Sequence, residues 1–123
     1  MEILIYIGSG IIFVWGLAHL FPTKKIVAGY SELTKDNRLV LIMEWLAEGV
    51  TLMFAGVLAG YLVYFHGLDN EAVISGVRWV AVLLIILAVM SFATLFRTSV
   101  IPNKMCGFIK TTVAVLLILG TTL

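Results

Sequence analysis

Four long apolar runs constrain the fold of this chain more than any other feature of its sequence. They cover about residues 3–21, 39–65, 72–96 and 105–123. At a helical rise of about 1.5 Å per residue, each run is long enough, or nearly so, to cross a hydrocarbon core of about 30 Å. None alternates with the period of two that a barrel strand shows, and in lipid the backbone groups must be paired within the segment. The runs therefore predict four transmembrane helices.

The composition supports the same class. Of the 123 residues, 62% are apolar and 12% are charged, whereas soluble domains have about 45–50% and about 25%. A chain of this size has too much surface per volume to hide such an excess of apolar side chains. The predicted fold is all-α, a polytopic membrane protein in which residues 1–123 form a single four-transmembrane-helix bundle.

Charge and cysteine content exclude several other classes. A formal net charge of +1 gives no basis for nucleic-acid binding, which needs a basic face. The single cysteine, Cys106, excludes an intrachain disulfide and any multi-cysteine metal site. Met1 and Glu2 precede the first run without the basic residues of a secretory signal, so we expect that run to stay in the mature protein.

The basic residues predict the orientation of the chain in a cell membrane. Those outside the runs all lie in the first and third connections: Lys24, Lys25, Lys35, Arg38, Arg97 and Lys104. The amino-terminal end and the second connection carry acids instead, namely Glu2, Asp69 and Glu71. By the positive-inside rule, the first and third connections face the cytoplasm and both termini are extracytoplasmic.

The first connection, residues 21–38, allows two interpretations. Ile26, Val27, Tyr30 and Leu33 are spaced three and four apart between cations. This spacing predicts a short amphipathic segment that lies on lipid headgroups. The alternative is a mobile loop whose lysines only fix the topology.

Candidate functional residues are the ionisable groups at membrane depth: His19, Glu44, Glu48, Arg78 and Lys110. Charge at that depth is costly, so such groups normally face a bundle interior and pair with one another. Counted from Arg38, Glu44 and Glu48 lie about 9 Å and about 15 Å deep on the helical rise. His19 and Lys110 are expected at a similar level, and Arg78, entering from the opposite side, is expected to extend toward Glu48.

Each predicted helix has one polar or small-residue stripe that we expect to face the bundle interior. The stripes are Gly8, Ile12, Trp15 and His19; Glu44, Glu48, Thr51, Ala55 and Ala59; Ser75, Arg78, Val82 and Ile85; and Cys106, Lys110 and Ala114. Gly56 and Gly60 form a Gly-x-x-x-Gly step beside the second stripe, suited equally to packing within the chain and to a homo-oligomer. Cys106 is expected to be a small apolar filler.

The charged set has a structural and a functional interpretation. Buried ion pairs can serve only to fix helix register and packing. Alternatively, two carboxylates four residues apart require a proton, a cation or a base, which favours acid–base candidates Glu48, Glu44 and His19. A polar pocket would bind its ligand through His19, Glu44, Trp45, Glu48, Arg78 and Lys110. No metal site is predicted, because Glu-x-x-His spacing is missing, and the sequence assigns no cofactor.

The second run, with Glu48-Gly49 followed by Gly56, resembles the DoxX-like family of small membrane proteins. The resemblance covers the whole chain as topology but only residues 44–60 as a motif. The chain departs from that family at Glu2, where a basic start is expected, and in the cations of its first connection. The resemblance implies a four-helix membrane bundle, sometimes an accessory subunit of quinone-linked redox systems and sometimes an assembly partner. It carries over no catalytic residue.

The favoured function is that of a non-enzymatic accessory or binding protein for a lipophilic small molecule or for another membrane protein. One alternative is a membrane enzyme of isomerase or oxidoreductase type, acting on a lipid or quinone by Glu/His proton transfer. Another is a proton-coupled transporter that uses Glu48. Free acid and base groups favour the enzyme, whereas groups locked in pairs favour the binding protein.

Overall fold

The computed structural model describes residues 1–21, 34–94 and 101–123. These residues form four helices: α1 (Glu2–Leu20), α2 (Lys35–His66), α3 (Glu71–Ala93) and α4 (Ile101–Thr122). The prediction of an all-helical chain with four helices is confirmed, and each helix is long and apolar enough to cross a membrane. The predicted amphipathic segment at residues 26–33, with Lys24, Lys25 and Arg97, lies outside the described residues.

Capping side chains fix helix ends that the apolar runs do not mark. The Thr34 hydroxyl accepts a hydrogen bond from the Asn37 backbone N–H at 3.1 Å, so α2 begins at Lys35 and not at residue 39. Gly67 ends α2 with φ 72°, a left-handed conformation that costs glycine little. The Asn70 side chain then caps α3 by accepting from the Ala72 N–H at 2.9 Å.

The four helices pack as a ring in which each helix contacts two neighbours. Helix α1 lies against α2 and α4, and α3 lies against α4 and α2. The contacts show that α1 and α4 are antiparallel, because Ile5 is packed beside Gly120 and His19 beside Cys106. One end of the bundle therefore brings together the carboxyl-terminal ends of α1 and α3 with the amino-terminal portions of α2 and α4.

Glycines set the close approach of α1 and α2. A Cβ atom added at Gly49 would lie 2.9 Å from the Gly16 carbonyl oxygen, and one added at Gly56 would lie 2.6 Å from that of Ser9. Neither distance is tolerated, so both positions need glycine for the two backbones to touch. At Gly60 the nearest atom would be the Ser9 hydroxyl oxygen at 3.6 Å, an ordinary contact. Gly56 thus packs within the chain, which decides between the two roles expected for it.

The predicted interior stripes are correct on α1 and α4 and wrong on α3; of the α2 stripe only Ala55 and Ala59 are buried, while Glu44 and Thr51 are exposed. Gly8, Ile12 and His19 are buried, as are Cys106, Lys110 and Ala114, whereas Ser75, Arg78, Val82 and Ile85 are all exposed. The buried face of α3 is instead formed by Val73, Val77, Val80, Ala81, Leu84, Ala88 and Ser91. The prediction that Arg78 marks the interior face of α3 was wrong because an arginine two turns from a helix end can extend to the polar boundary without facing inward.

Candidate functional site

Four polar side chains, one from each helix, meet inside the bundle. They are His19 of α1, Glu48 of α2, Ser91 of α3 and Lys110 of α4, and we refer to them as the buried cluster. The antiparallel ring places all four near the same end, where α1 and α3 finish. The expectation that polar groups from all four helices converge therefore describes the structure, but with Ser91 in the place assigned to Arg78.

Lys110 is the centre of the buried cluster. Its side chain has no solvent exposure, and its ammonium group donates to the Glu48 carboxylate and, at 2.8 Å, to the Ser91 hydroxyl. The Ser91 hydroxyl in turn donates to the Leu87 carbonyl oxygen at 2.9 Å. A buried ammonium needs both an opposite charge and further acceptors, because desolvation otherwise makes it strongly unfavourable. Glu48 and Ser91 supply these.

The orientation of His19 is fixed by its own helix. Its Nδ1 atom lies 2.8 Å from the Trp15 carbonyl oxygen. Because a carbonyl oxygen only accepts, Nδ1 must carry the proton and donate it. In the neutral ring, Nε2 is then the acceptor, 3.7 Å from the nearer Glu48 oxygen and 3.9 Å from the Cys106 sulfur.

Two tryptophans enclose the imidazole of His19. The Trp45 ring lies over it with a centroid distance of 4.7 Å and a tilt of 30°, and the Trp15 ring meets it edge-on at 5.7 Å. The indole Nε1 of Trp45 is buried and has no hydrogen-bond partner within the described part of the chain. Trp45 therefore presents a spare donor beside the buried cluster.

Glu48 is the member of the buried cluster that is open to its surroundings. Its side chain is 21% exposed, whereas His19, Ser91 and Lys110 are 2%, 4% and 0% exposed. One Glu48 oxygen accepts from Lys110, while the other faces His19 at 3.7 Å, beyond hydrogen-bond distance. That second oxygen retains acceptor capacity at the edge of an apolar bundle.

Of the predicted ligand-binding residues, Glu44 and Arg78 lie apart from the buried cluster, whereas Trp45 packs on His19. Glu44 is exposed, because in the antiparallel register of Gly16 with Gly49 it is level with Phe21, just past the end of α1. Of the two glutamates proposed as acid–base candidates with His19, it is Glu48 that lies beside His19. Arg78 is exposed near the opposite end of the bundle, where its Nε donates to the Thr121 hydroxyl at 3.2 Å.

Sequence reasoning missed Ser91. The signal was present, since Ser91 is the first hydroxyl residue after Ser75 along α3 and lies near the end that the positive-inside rule places beside His19 and Lys110. The candidate residues were restricted to ionisable groups, and Ser91 carries no charge. A buried lysine nonetheless needs uncharged acceptors as much as a counter-ion.

The side chains present are suited to hydrogen bonding and proton exchange. Across residues 1–21, 34–94 and 104–123, no three metal-ligating side chains come together. Glu48 has a carboxylate oxygen without a hydrogen-bond partner among the described residues, and beside it His19 and Trp45 pack ring on ring within an apolar bundle. Such a set can hold a polar group of a molecule whose remainder is apolar.

Comparisons of the chain with protein-family models, with curated proteins and with solved structures yield no match.

Proposed function

We propose that this chain is a non-enzymatic integral membrane protein that binds a lipophilic small molecule, with the polar group of that molecule held at Glu48. The observation that carries the proposal is the difference between the two Glu48 carboxylate oxygens: one is bound by the buried Lys110, and the other has no hydrogen-bond partner among the described residues, in a side chain that is 21% exposed. The ion pair with Lys110 fixes the position of the carboxylate, and its second oxygen can accept a hydrogen bond from a ligand. Pre-organised polar groups in an apolar setting are typical of small-molecule sites.

Charge balance indicates which polar group the site accepts. Glu48 and Lys110 already neutralise each other, and His19 needs no charge to donate from Nδ1 to the Trp15 carbonyl oxygen. An ionic ligand would add an uncompensated charge in a poorly solvated place. The proposed ligand is therefore neutral at its polar end, with a hydroxyl that donates to Glu48 or a carbonyl that accepts from the Trp45 indole N–H.

The size of the open polar surface favours a small molecule over a partner membrane protein. Lys110, Ser91 and His19 are sealed inside the bundle. The indole N–H groups of Trp15 and Trp45 are buried as well, so the exposed polar surface at this place is that of the Glu48 side chain, which fits a single headgroup. An accessory role with another membrane protein, and membership of the DoxX-like family, stay predictions.

The proposed setting is a cell membrane crossed four times. The first turn of α2 carries Lys35 and Arg38, and Lys104 lies in α4 near the same end of the bundle, whereas Glu2 and Glu71 begin α1 and α3 at the other. This segregation supports the proposed orientation, with the Lys35 end cytoplasmic and both termini outside. The buried cluster would then lie on the cytoplasmic side of the midplane.

A membrane enzyme is the second candidate, favoured by one feature of His19. Its Nε2 lone pair faces the open Glu48 oxygen at 3.7 Å, which would suit a substrate proton moved between the two groups. Against this, one Glu48 oxygen is already bound by Lys110, while an isomerase needs an acid and a base that are not locked in pairs. Chromatography of the molecule before and after incubation with the protein distinguishes the two functions. An enzyme changes the position of a double bond or the redox state of the molecule, whereas a binding protein leaves it unchanged.

Native mass spectrometry of the full chain in mild detergent tests the proposal. The wild type is expected to retain a defined small-molecule adduct that Glu48→Gln loses. The matched control is Glu44→Gln, an exposed glutamate one turn away on the same helix, which should keep the adduct. Because Glu48→Gln leaves Lys110 unpaired, the double variant Glu48→Gln/Lys110→Met provides a second adduct-free protein without a buried charge. Adduct retained by the folded double variant, or bare wild-type protein, would refute a ligand at Glu48.

A further inference from the structure

Arg78 and Glu71 lie along one exposed face of α3, far from the buried cluster. With Ile74, Ser75, Trp79 and Val82 they line a cleft of about 440 Å³, within the roughly 300–1,000 Å³ of ligand-binding clefts. Both charged side chains are exposed, and neither forms an ion pair with any residue that the structure describes. The cleft therefore holds a cation and an anion that are both available to a ligand.

The guanidinium of Arg78 is held in position. Its Nε donates to the Thr121 hydroxyl at 3.2 Å, and that hydroxyl donates to the Ile118 carbonyl oxygen at 2.8 Å. The two terminal nitrogens of the guanidinium keep their four N–H groups for another acceptor. A planar array of this kind matches a phosphate by paired, charge-assisted hydrogen bonds.

The cleft changes from polar to apolar along α3. Glu71, Ser75 and Arg78 occupy its outer part, and Val82 ends it on the inner side. Farther along the helix, the exposed surface continues with apolar residues: Ile85, Ile86 and Val89. Trp79, 69% exposed, sits at the transition, as tryptophans do at the membrane interface. This order matches a lipid with its headgroup outward and an acyl chain along α3.

From this arrangement we infer that the cleft binds a zwitterionic phospholipid, with the lipid phosphate on Arg78 and the lipid ammonium on Glu71. The two residues are seven positions apart, about 10 Å along the helix axis, and both line the same cleft. An anionic lipid could bind Arg78 through its phosphate, but it has no ammonium group to pair with Glu71. The inference shares with the proposed function only the insertion of the helices in a bilayer.

Lipid exchange followed by native mass spectrometry tests the inference. The full chain in mild detergent is offered phosphatidylethanolamine and phosphatidylglycerol with identical acyl chains, and the bound fraction of each is measured. The wild type is expected to prefer phosphatidylethanolamine. Arg78→Gln should lower the retention of both lipids by roughly tenfold, on the scale of a charge-assisted hydrogen bond. Glu71→Gln should lower only phosphatidylethanolamine and reverse the preference.

Arg38→Gln is the matched control, because Arg38 is an exposed arginine at the other end of the bundle. It should leave both retentions unchanged. The inference is overturned if Glu71→Gln leaves the ratio of the two lipids unaltered, or if Arg38→Gln reduces retention as much as Arg78→Gln. Either result would mean that Arg78 only extends to the membrane–water interface and does not bind a lipid headgroup in the cleft. The adduct at Glu48 is expected to be the same in all three variants, so failure here is distinct from failure of the proposed function.

Discussion

The ammonium group of Lys110 on α4 donates to the carboxylate of Glu48 on α2, and this ion pair joins the two helices that lie diagonally opposite each other in the bundle. The pair therefore crosses the centre of the ring. Ser91 on α3 and His19 on α1 touch it from either side, so one polar contact set links all four helices. The stability of the bundle is therefore expected to depend on it, and so is the proposed ligand binding.

The two single substitutions that break this ion pair should lower the free energy of unfolding by different amounts. Glu48→Gln leaves the fully buried Lys110 ammonium without a counter-ion, and we expect a loss of about 3–5 kcal/mol in the free energy of unfolding. Lys110→Met should cost less, because the Glu48 side chain is 21% exposed and can contact water. The double variant should be more stable than Glu48→Gln alone. Denaturant unfolding of the four proteins in one detergent gives the coupling energy, and additive effects would contradict a direct pair.

Close backbone contact between α1 and α2 should make Gly49 intolerant of substitution. A Cβ at Gly49 would lie 2.9 Å from the Gly16 carbonyl oxygen and 3.0 Å from the His19 Cβ. We expect Gly49→Ala to force α1 outward, lower the unfolding free energy by about 1–3 kcal/mol, and move His19 away from Glu48. Thermal unfolding checks the cost.

Gly60→Ala is the matched control on the same helix, since its new Cβ would lie 3.6 Å from the Ser9 hydroxyl oxygen. Its effect should be within about 0.5 kcal/mol, or slightly stabilising, because alanine favours the helix. Equal losses for the two variants would show that helix propensity, and not the α1–α2 contact, determines the tolerance at these glycines.

The level of each helix in the bundle was predictable, but its rotation about its own axis was predictable only in part. Helical rise and the distribution of lysines placed His19, Glu48 and Lys110 near one end, where the structure has them. On α3 the predicted interior stripe containing Arg78 faces outward. The cause is that a lipid-facing surface and a buried surface both favour apolar residues. Every helix here is apolar on most of its surface, so the periodicity of its apolar residues does not mark the buried side.

Glu44 illustrates a second limit. Its four-residue spacing from Glu48 correctly places both carboxylates on one side of α2. Only the register against α1 reveals that α1 ends before it can cover Glu44. Register depends on which glycines meet, here Gly16 with Gly49, and such a pairing between distant segments cannot be read from either segment alone.

The tautomer of His19 provides a test of the buried cluster that changes no side chain in it. The Trp15 carbonyl oxygen, 2.8 Å from Nδ1, can only accept, so neutral His19 should carry its proton on Nδ1 and leave Nε2 bare. Nitrogen-15 NMR of histidine-labelled protein in micelles at neutral pH distinguishes a protonated from a bare ring nitrogen. The chain has two histidines, and a His66→Gln sample assigns the signals.

The same spectrum of Glu48→Gln/Lys110→Met identifies which neighbour sets the tautomer. If Trp15 does, as the geometry indicates, the bare Nε2 signal persists when the carboxylate and ammonium are gone. If Glu48 does, through a proton on Nε2, the wild type shows a bare Nδ1 and the double variant changes. A wild-type ring with a bare Nδ1 would contradict the contact with the Trp15 carbonyl oxygen.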